Sequence, residues 1–182
     1  MTPGWTIRQL RTVDERQIEG LAALLIDCVE AGASVSFMLP LTRDRAVGFW
    51  RRVVADVIAG QRALLVAEDE MGIGGTVQLV FELPENQPHR ADLAKMLVHR
   101  RARRQGLGAA LMQAAETVAQ ENGKTLLVLD AVTDGDGARL YQRLGWVRVG
   151  DIPDYALLPA GGPCSTTVFY RKIQAVKRPS DD

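Results

Sequence analysis

The spacing of apolar positions along this chain changes repeatedly between two periods. A period of two is typical of strands, and a period near 3.6 is typical of helices. The predicted strands are residues 6–11, 64–68, 73–81, 93–98, 125–130, 146–150 and 167–172. Of four predicted helices, the first is capped by Asp14 and the second by Thr42, and the other two span 106–122 and 134–144. A glycine ends each of the four.

This order predicts an α/β (α+β) chain with a mixed sheet of about seven strands and about four helices. Strand 93–98, the long helix and strand 125–130 form a parallel crossover, which is expected to be right-handed. Neither an internal repeat nor a linker interrupts the pattern. We therefore expect residues 1–173 to form a single domain and residues 174–182 to be a frayed polar tail.

Composition narrows the class of protein. The chain has 182 residues, of which 47% are hydrophobic, and 22 basic residues balance 22 acidic ones. This balance argues against a general nucleic-acid binder, although a nucleic-acid module using the basic run 100–104 stays an alternative. The two cysteines and two histidines have no metal-ligand spacing, so we expect no metal. Neither a leader nor a membrane span is evident, which favours a cytoplasmic protein without membrane contact.

A basic, glycine-containing loop separates the central strand from the long helix. Gly106 and Gly108 stand where that helix begins, and Arg103 and Arg104 precede them. The first amide groups of a helix have no internal partner and lie at the positive end of its dipole. Glycines let a ligand approach this backbone closely. The loop therefore predicts a phosphate-binding site. The alternative interpretation is a strand–helix turn with solvated arginines and no ligand.

The spacing R-x-x-G-x-G at Arg103, Gly106 and Gly108 resembles the pyrophosphate signature of the GCN5-related N-acetyltransferase (GNAT) family. The run ARLYQRLGW at 138–146 resembles the later signature of that family. Stretches 32–38, 89–98, 126–131 and 147–157 are similar to the tabtoxin-resistance subgroup. The resemblance implies the GNAT fold, acetyl-CoA as cosubstrate, and transfer of acetyl to a primary amine of a small molecule. An amino-acid-like toxin or antibiotic is one candidate acceptor.

The chain departs from the family pattern before the tyrosine of the second signature. Family members often have Asn seven residues before this tyrosine and Ala four residues before it. Here those positions hold Asp134 and Gly137. The Asn commonly contacts the pantetheine arm, so we assign Asp134 no role in binding.

The resemblance also implies which residues hold the coenzyme. Backbone amides of the loop would bind the pyrophosphate, with charge from the arginines, and the backbone of the central strand would pair with pantetheine. The thioester would lie where strands 93–98 and 125–130 separate. The predicted coenzyme residues are Met96, Leu97, Val98, Arg103, Arg104, Gln105, Gly106, Leu107, Gly108 and Ala109.

Tyr141 matches the family's proton donor to the leaving thiolate; its alternative is simple packing under the sheet. An amine acceptor must also lose a proton, and Asp130, Asp92 and Glu82 are candidate bases. Asp130 follows a continuous apolar run, and partial burial would raise its pKa. Asp92 could instead bind the substrate ammonium. His99 is interpreted as a loop residue near the coenzyme.

Segments 32–38 and 153–162 would line the acceptor pocket by family analogy, with Phe37, Met38 and Tyr155 as candidates. A homodimer is expected on the same basis. A second hypothesis of a different class is a non-catalytic domain that senses coenzyme A or binds a partner. Tight coenzyme binding without release of thiol to any acceptor would favour that hypothesis.

Overall fold

The chain builds seven strands, four α-helices and one short 3-10 helix in a computed structural model that describes residues 4–174. The strands are β1 (Thr6–Leu10), β2 (Arg62–Asp69), β3 (Gly72–Val80), β4 (Arg90–Val98), β5 (Leu126–Val132), β6 (Val147–Leu157) and β7 (Pro163–Lys172). The helices are α1 (Glu15–Glu30), α2 (Arg43–Ile58), α3 (Leu107–Glu121) and α4 (Asp136–Arg143), with the 3-10 turn Arg100–Ala102 before α3. The predicted mixed α/β architecture and its order of elements are confirmed.

Local chemistry at the helix ends explains why the first two helices begin where they do. The Asp14 carboxylate accepts a hydrogen bond from the Gln17 amide, and the Gln17 side chain accepts one from the Asp14 amide in return. Thr42 accepts from the Arg45 amide at the start of α2. Such caps satisfy amides that the helix itself leaves unpaired.

One seven-stranded sheet runs in the order β1-β2-β3-β4-β5-β7-β6. Strands β4 and β5 pair in parallel, and all other neighbours are antiparallel. One face packs on α3 and α4 around Leu107, Leu111 and Phe169. The other face packs on α1 and α2 around Leu25 and Trp50. The sheet is therefore covered on both faces in its first half.

Pairing between β4 and β5 ends early. The register pairs Arg90 with Leu126, Ala91 with Leu127 and Asp92 with Val128, and goes no further although both strands continue. On its other side β4 has a register shift against β3 between Thr76 and Gln78. Lys95 lies in this bulge with φ of 49°. The two central strands therefore diverge, and the edge of β4 that faces β5 is unpaired from residue 93 onward.

The predicted bounds were too short in the last hairpin. Strand β6 extends to Leu157 instead of 150, and β7 begins at Pro163 instead of 167. Pro153 lies inside β6, which is tolerated because β6 is an edge strand. The predicted tail falls on residues 174–182, of which 175–182 lie outside the described residues. Within the described residues, none of the helices is long and apolar enough to cross a bilayer.

Candidate active site

The loop between β4 and α3 presents free backbone amides to one side. Gly106 is the residue before α3, with φ of 79°, and no side chain caps the first turn. Arg104 also has a positive φ, of 59°. An added Cβ on Gly106 would meet nothing within 4 Å, whereas one on Gly108 would meet Leu140 at 3.0 Å. Gly106 is therefore required for the backbone conformation, and Gly108 for the packing of α4 against α3.

A buried carboxylate on α1 anchors the start of this loop. Asp27 is 8% exposed and accepts hydrogen bonds from the Arg100 amide at 2.9 Å and from its Nε at 2.7 Å. His99 Nε2 lies 3.5 Å from the same carboxylate, while its Nδ1 accepts from the Arg101 amide. Burial alone would raise the pKa of Asp27, but the two hydrogen bonds from Arg100 hold it below the usual value. His99 is thus a loop residue, as predicted.

A second anchor holds the middle of the loop. Arg101 pairs with Asp69 at 2.6 Å and stacks over the Trp5 ring at 4.8 Å. Trp5 donates from Nε1 to Gln105 Oε1, and Gln105 Nε2 donates to the Arg101 carbonyl. An added Cβ on Gly74 would collide with Trp5 at 2.2 Å, so the ring rests directly on the backbone of β3. The Gln105 side chain is therefore held by hydrogen bonds to Trp5 and to the Arg101 carbonyl.

The basic run divides into two functional pairs. Arg100 and Arg101 are held by carboxylates, as described above. Within residues 4–174, Arg103 and Arg104 have no carboxylate within 4 Å, and both are exposed. Arg103 donates to the Val98 carbonyl, at 3.2 Å. Two unpaired guanidinium groups and the amides of α3 therefore surround one surface, which is suited to a polyanion.

The side chains of the last β4 residues pack into the cores on the two faces of the sheet, while the backbone edge that faces β5 is unpaired. Leu97 is buried against α1, and Met96 packs on the α3 side. The Val98 carbonyl already accepts from Cys28 Sγ and from Arg103. The edge of these residues toward β5 is unpaired, so an extended ligand could add to it as a strand does.

Tyr141 lies on α4, the helix whose Leu140 packs close to Gly108 of α3. It is 5% exposed and packs against Trp146 and Phe169, with both ring centroids at 6.0 Å. A Cβ added to Gly137 would lie 3.5 Å from the Tyr141 ring and 3.7 Å from the Ala131 Cβ at the end of β5. Its hydroxyl makes no hydrogen bond within the part of the chain that the structure describes. Burial raises the pKa of Tyr141 above its usual value, and the Asp130 carboxylate adds to this rise.

The expected partial burial of Asp130 is wrong. The residue is exposed on β5, and its Oδ2 accepts from the Thr166 hydroxyl at 3.1 Å. The apolar run before it points its alternate side chains, Leu127 and Leu129, into the core, and Asp130 belongs to the opposite face. That face has no helix above it at β5, because α1 and α2 cover only the first half of the sheet.

The other two candidate bases differ in their surroundings. Asp92 pairs with Arg90 at 3.0 Å, while its Oδ1 is buried without a partner in the described chain. Burial raises the pKa of Asp92 despite the Arg90 charge, and Asp130 contributes in the same direction. Glu82 is exposed beyond the end of β3, where its amide bonds to Gln61. It does not border the pocket described next.

A pocket of about 330 Å³ lies on the uncovered face beside β5. The two predicted acceptor segments do line it, together with the end of β5 and the start of β7. Its lining includes Ser34, Ser36, Phe37, Met38, Asp130, Tyr155, Cys164 and Thr166. Phe37 is fixed edge-to-face against Phe49, at 5.2 Å between centroids. The structure thus brings Asp130, Phe37 and Tyr155 together at one surface.

Part of the chain is similar to a known protein family. Residues 60–148 match the acetyltransferase (GNAT) domain. Just under half of the chain is therefore similar to GNAT acetyltransferase domains. That match runs from just before β2 to the start of β6, so it includes the loop, the diverging strands and Tyr141.

Several solved structures have the same fold as this chain. YncA from Salmonella typhimurium, whose structure contains its cofactor acetyl-CoA, is 17% identical with a TM-score of 0.76, covering 98% of this chain and 99% of that one. A GCN5-related N-acetyltransferase from Kribbella flavida is 22% identical with a TM-score of 0.76, covering 95% and 100%. The ribosomal-protein-alanine N-acetyltransferase of Brucella melitensis is 19% identical with a TM-score of 0.75, covering 92% and 99%. At these identities the likeness establishes the fold and leaves the acceptor open.

The sequence analysis assigned no role to two residues, Asp27 and Lys95, that lie at the candidate site in the structure. Asp27 anchors the loop before α3 from a different helix, and only its position among apolar residues of α1 indicated burial. Lys95 lies beside the pocket, and its signal was visible as the one charge inside an apolar strand. Among the described residues, no group of three or more histidine, cysteine, aspartate or glutamate side chains could hold a metal ion.

Replacing Asp27 with Asn should loosen the loop. We expect Asp27→Asn to lower the free energy of unfolding by about 1–3 kcal/mol at pH 7, the range for a lost charged hydrogen bond. The pKa of Asp27 is lower in the folded chain than in the unfolded one. Its contribution is therefore complete above the unfolded value, about 3.9, and is lost as the pH falls through the folded value. Urea unfolding at pH 7 and at lower pH measures this.

Asp44→Asn is the matched control, since the Asp44 side chain is 95% exposed. It should leave the free energy of unfolding nearly unchanged. Equal effects of the two substitutions, or an Asp27→Asn difference that persists in acid, would contradict the anchoring role.

Proposed function

We propose that this protein is an acetyl-CoA-dependent N-acetyltransferase that acts on a primary amine of a small molecule. The observation that carries the proposal is the separation of β4 from β5 after Asp92 and Val128. It leaves an unpaired strand edge between a phosphate-binding loop and a pocket that contains a carboxylate. A coenzyme with an anionic end and an extended amide-bearing arm is complementary to both features.

The residues present fit such a coenzyme. Pyrophosphate would be bound by backbone amides from Arg104 to Ala109, with charge from Arg103 and Arg104, which have no carboxylate partner among residues 4–174. The open backbone edge of residues 96–98 would pair with the amides of pantetheine. When bound, the coenzyme supplies an acetyl thioester, whose carbonyl carbon is the electrophile.

The protein side of the reaction then needs three functions. The loop and the strand edge hold the thioester beside the acceptor, and positioning of this kind can lower a barrier by about 7–11 kcal/mol. Asp130, in the pocket lining, would accept the proton that the ammonium must lose before its nitrogen can bond to the acetyl carbon. Tyr141 holds a proton at its hydroxyl for the sulfur as the carbon–sulfur bond breaks, and its raised pKa keeps that proton in place at neutral pH.

The pocket supports a small acceptor. Its volume of about 330 Å³ and its mixed lining of aromatic, hydroxyl and carboxylate groups suit a polar molecule of modest size. The similarity of several stretches to the tabtoxin-resistance subgroup motivates the narrower suggestion of an amino-acid-like toxin or antibiotic. The cytoplasmic location and the homodimer stay predictions from the same resemblance.

A two-part experiment tests this proposal. Calorimetry with acetyl-CoA measures binding, and release of free thiol is followed across a panel of primary amines with mass detection of the acetylated product. Binding together with thiol release supports the enzyme. Binding without any release favours the non-catalytic sensing domain, and no binding refutes both. The nucleic-acid alternative is weakened because Arg100 and Arg101 are used in internal ion pairs.

Removing the candidate base should slow the reaction and alter its pH profile. We expect Asp130→Asn to lower kcat by about 10- to 100-fold at neutral pH, toward the lower end of general-base effects, because water also reaches this exposed site. The loss should shrink at high pH, where more of the amine is already neutral. Rates across pH 6–10 on one acceptor measure it.

The matched control is Asp151→Asn, which changes a carboxylate on the edge strand β6, one strand beyond β7, that does not line the pocket. It should keep the wild-type pH profile. A pH profile of Asp130→Asn parallel to that of the wild type would contradict the assignment and favour Asp92.

A further inference from the structure

Lys95 is a half-buried cation that has no carboxylate partner in the described chain. Its ammonium donates to Ser36 Oγ at 3.2 Å and lies 5.8 Å from the centre of the Phe49 ring. Two neighbouring cations of the sheet are compensated differently: Arg62 pairs with Asp56 at 3.2 Å, and Arg90 with Asp92 at 3.0 Å. Lys95 therefore differs from both, because a hydroxyl and a ring are its only close partners.

The backbone fixes this lysine in place. It lies in the bulge of β4 with φ of 49°, a conformation that is unfavourable for a residue with a Cβ. Non-glycine residues held in this region are concentrated at functional sites. The bulge puts the side chain on the face that α1 and α2 cover, near Ser36 and Phe49.

Both partners of Lys95 lead to the acceptor pocket. Ser36 lines the pocket directly, and Phe49 packs on Phe37, which also lines it. Asp130, in the same lining, is close enough to oppose part of the pKa shift of Lys95. The pocket is therefore lined by the Asp130 carboxylate and bordered, behind Ser36, by the Lys95 ammonium, and neither group has an ion-pair partner in the described chain.

The surroundings of Lys95 disfavour the charged form of its side chain. Burial lowers the pKa of Lys95, and the charge of Arg62 lowers it further, while Asp130 offsets only part of this effect. An anion that entered the pocket beside the ammonium would favour the charged form and remove the imbalance. A cation would be repelled from the same point.

We propose that Lys95 is the specificity residue of the acceptor pocket and binds a carboxylate that the acceptor carries close to its reactive amine. This inference rests on the proposed function. The ammonium end of such a zwitterion faces Asp130, and its carboxylate faces Lys95. The opposite charges then fix which end of the acceptor reaches the thioester, so the selected class is amino acids and their carboxylate-bearing analogues.

The test compares each amino acid of a panel with its own carboxamide, which keeps the amine and removes the negative charge. In the wild type, kcat/KM should favour the acid by roughly 10- to 100-fold, the range for a hydrogen bond to a charged group. Lys95→Gln should remove most of this preference, and Lys95→Arg should keep part of it. The dissociation constant of acetyl-CoA should be the same in all three proteins.

Lys124→Gln is the matched control, because Lys124 also lies over a ring, Phe81, at 5.3 Å, and is outside the pocket. It should retain the wild-type preference for acids. An equal preference in Lys95→Gln and wild type, or no preference in the wild type, overturns the proposal.

A binding measurement separates this proposal from the proposed function. Cys164 lines the pocket, whereas Cys28 is buried and its pKa is raised to about 11 by burial, so alkylation reports on Cys164. Amino acids should slow alkylation more than their carboxamides do, and Lys95→Gln should abolish that difference. If no amine releases thiol, the proposed function fails, and the alkylation rates still decide the role of Lys95: equal protection by acid and carboxamide overturns it.

Discussion

Tyr141→Phe should lower kcat by about 100- to 10,000-fold, the usual effect of removing a proton donor. The ring is 5% exposed and held by Trp146 and Phe169, so a phenylalanine can keep the same packing. The hydroxyl has no hydrogen-bond partner in the described chain, and its loss therefore leaves no buried group unsatisfied. Single-turnover rates with acetyl-CoA, together with its dissociation constant from calorimetry, measure the effect.

Affinity for the coenzyme should stay within about twofold, because Tyr141 acts on the leaving sulfur and not on the pyrophosphate. Gly137→Ala is the control for packing. It adds a methyl at ordinary contact distance, 3.5 Å from the Tyr141 ring, and keeps the hydroxyl. Wild-type turnover in Tyr141→Phe, or an equal loss in Gly137→Ala, would show that Tyr141 is a packing residue.

Gly106→Val should weaken acetyl-CoA binding by about 100-fold or more. A branched residue cannot hold φ near 79° without strain, so the amides of residues 106–109 would turn away from the ligand. Losing two hydrogen bonds from amides to a charged phosphate is enough for this effect, at about 1.5–3 kcal/mol each. Calorimetric titration with acetyl-CoA and with free coenzyme A measures it.

Gly123→Val is a closely matched control at the other end of α3. Gly123 also has a positive φ, of 71°, and an added Cβ there meets nothing within 4 Å. Both variants should lose similar stability in thermal unfolding, but only Gly106→Val should lose affinity. Equal affinities in the two variants would remove the loop from the binding site.

The strand, loop and helix around residues 99–106 were predictable because their signals are local. A strand, a pair of glycines two residues apart and an amphipathic helix all lie within residues 93–115, and backbone conformation depends mainly on near neighbours. The order of elements followed for the same reason. The long hairpin β6–β7 was underestimated because exposed edge strands lack the alternation on which strand prediction depends, as in residues 151–157.

The acceptor side could not be predicted in the same way, because it depends on contacts between distant residues. The predicted burial of Asp130 failed since its exposure is set by where α1 and α2 stop covering the sheet. Asp27 meets Arg100 across 73 positions of sequence, and Lys95 meets Ser36 across 59. A sequence pattern shows which residue types occur at such positions, but it does not show which of these distant residues contact each other.

The short register between the two middle strands has a thermodynamic consequence. Only three residue pairs join one half of the sheet to the other, and the main-chain groups beyond them have no partner across the gap. A molecule that fills the gap would supply those partners, and so would become part of the cooperative unit that unfolds. The free energy of unfolding would then rise with the logarithm of the concentration of that molecule.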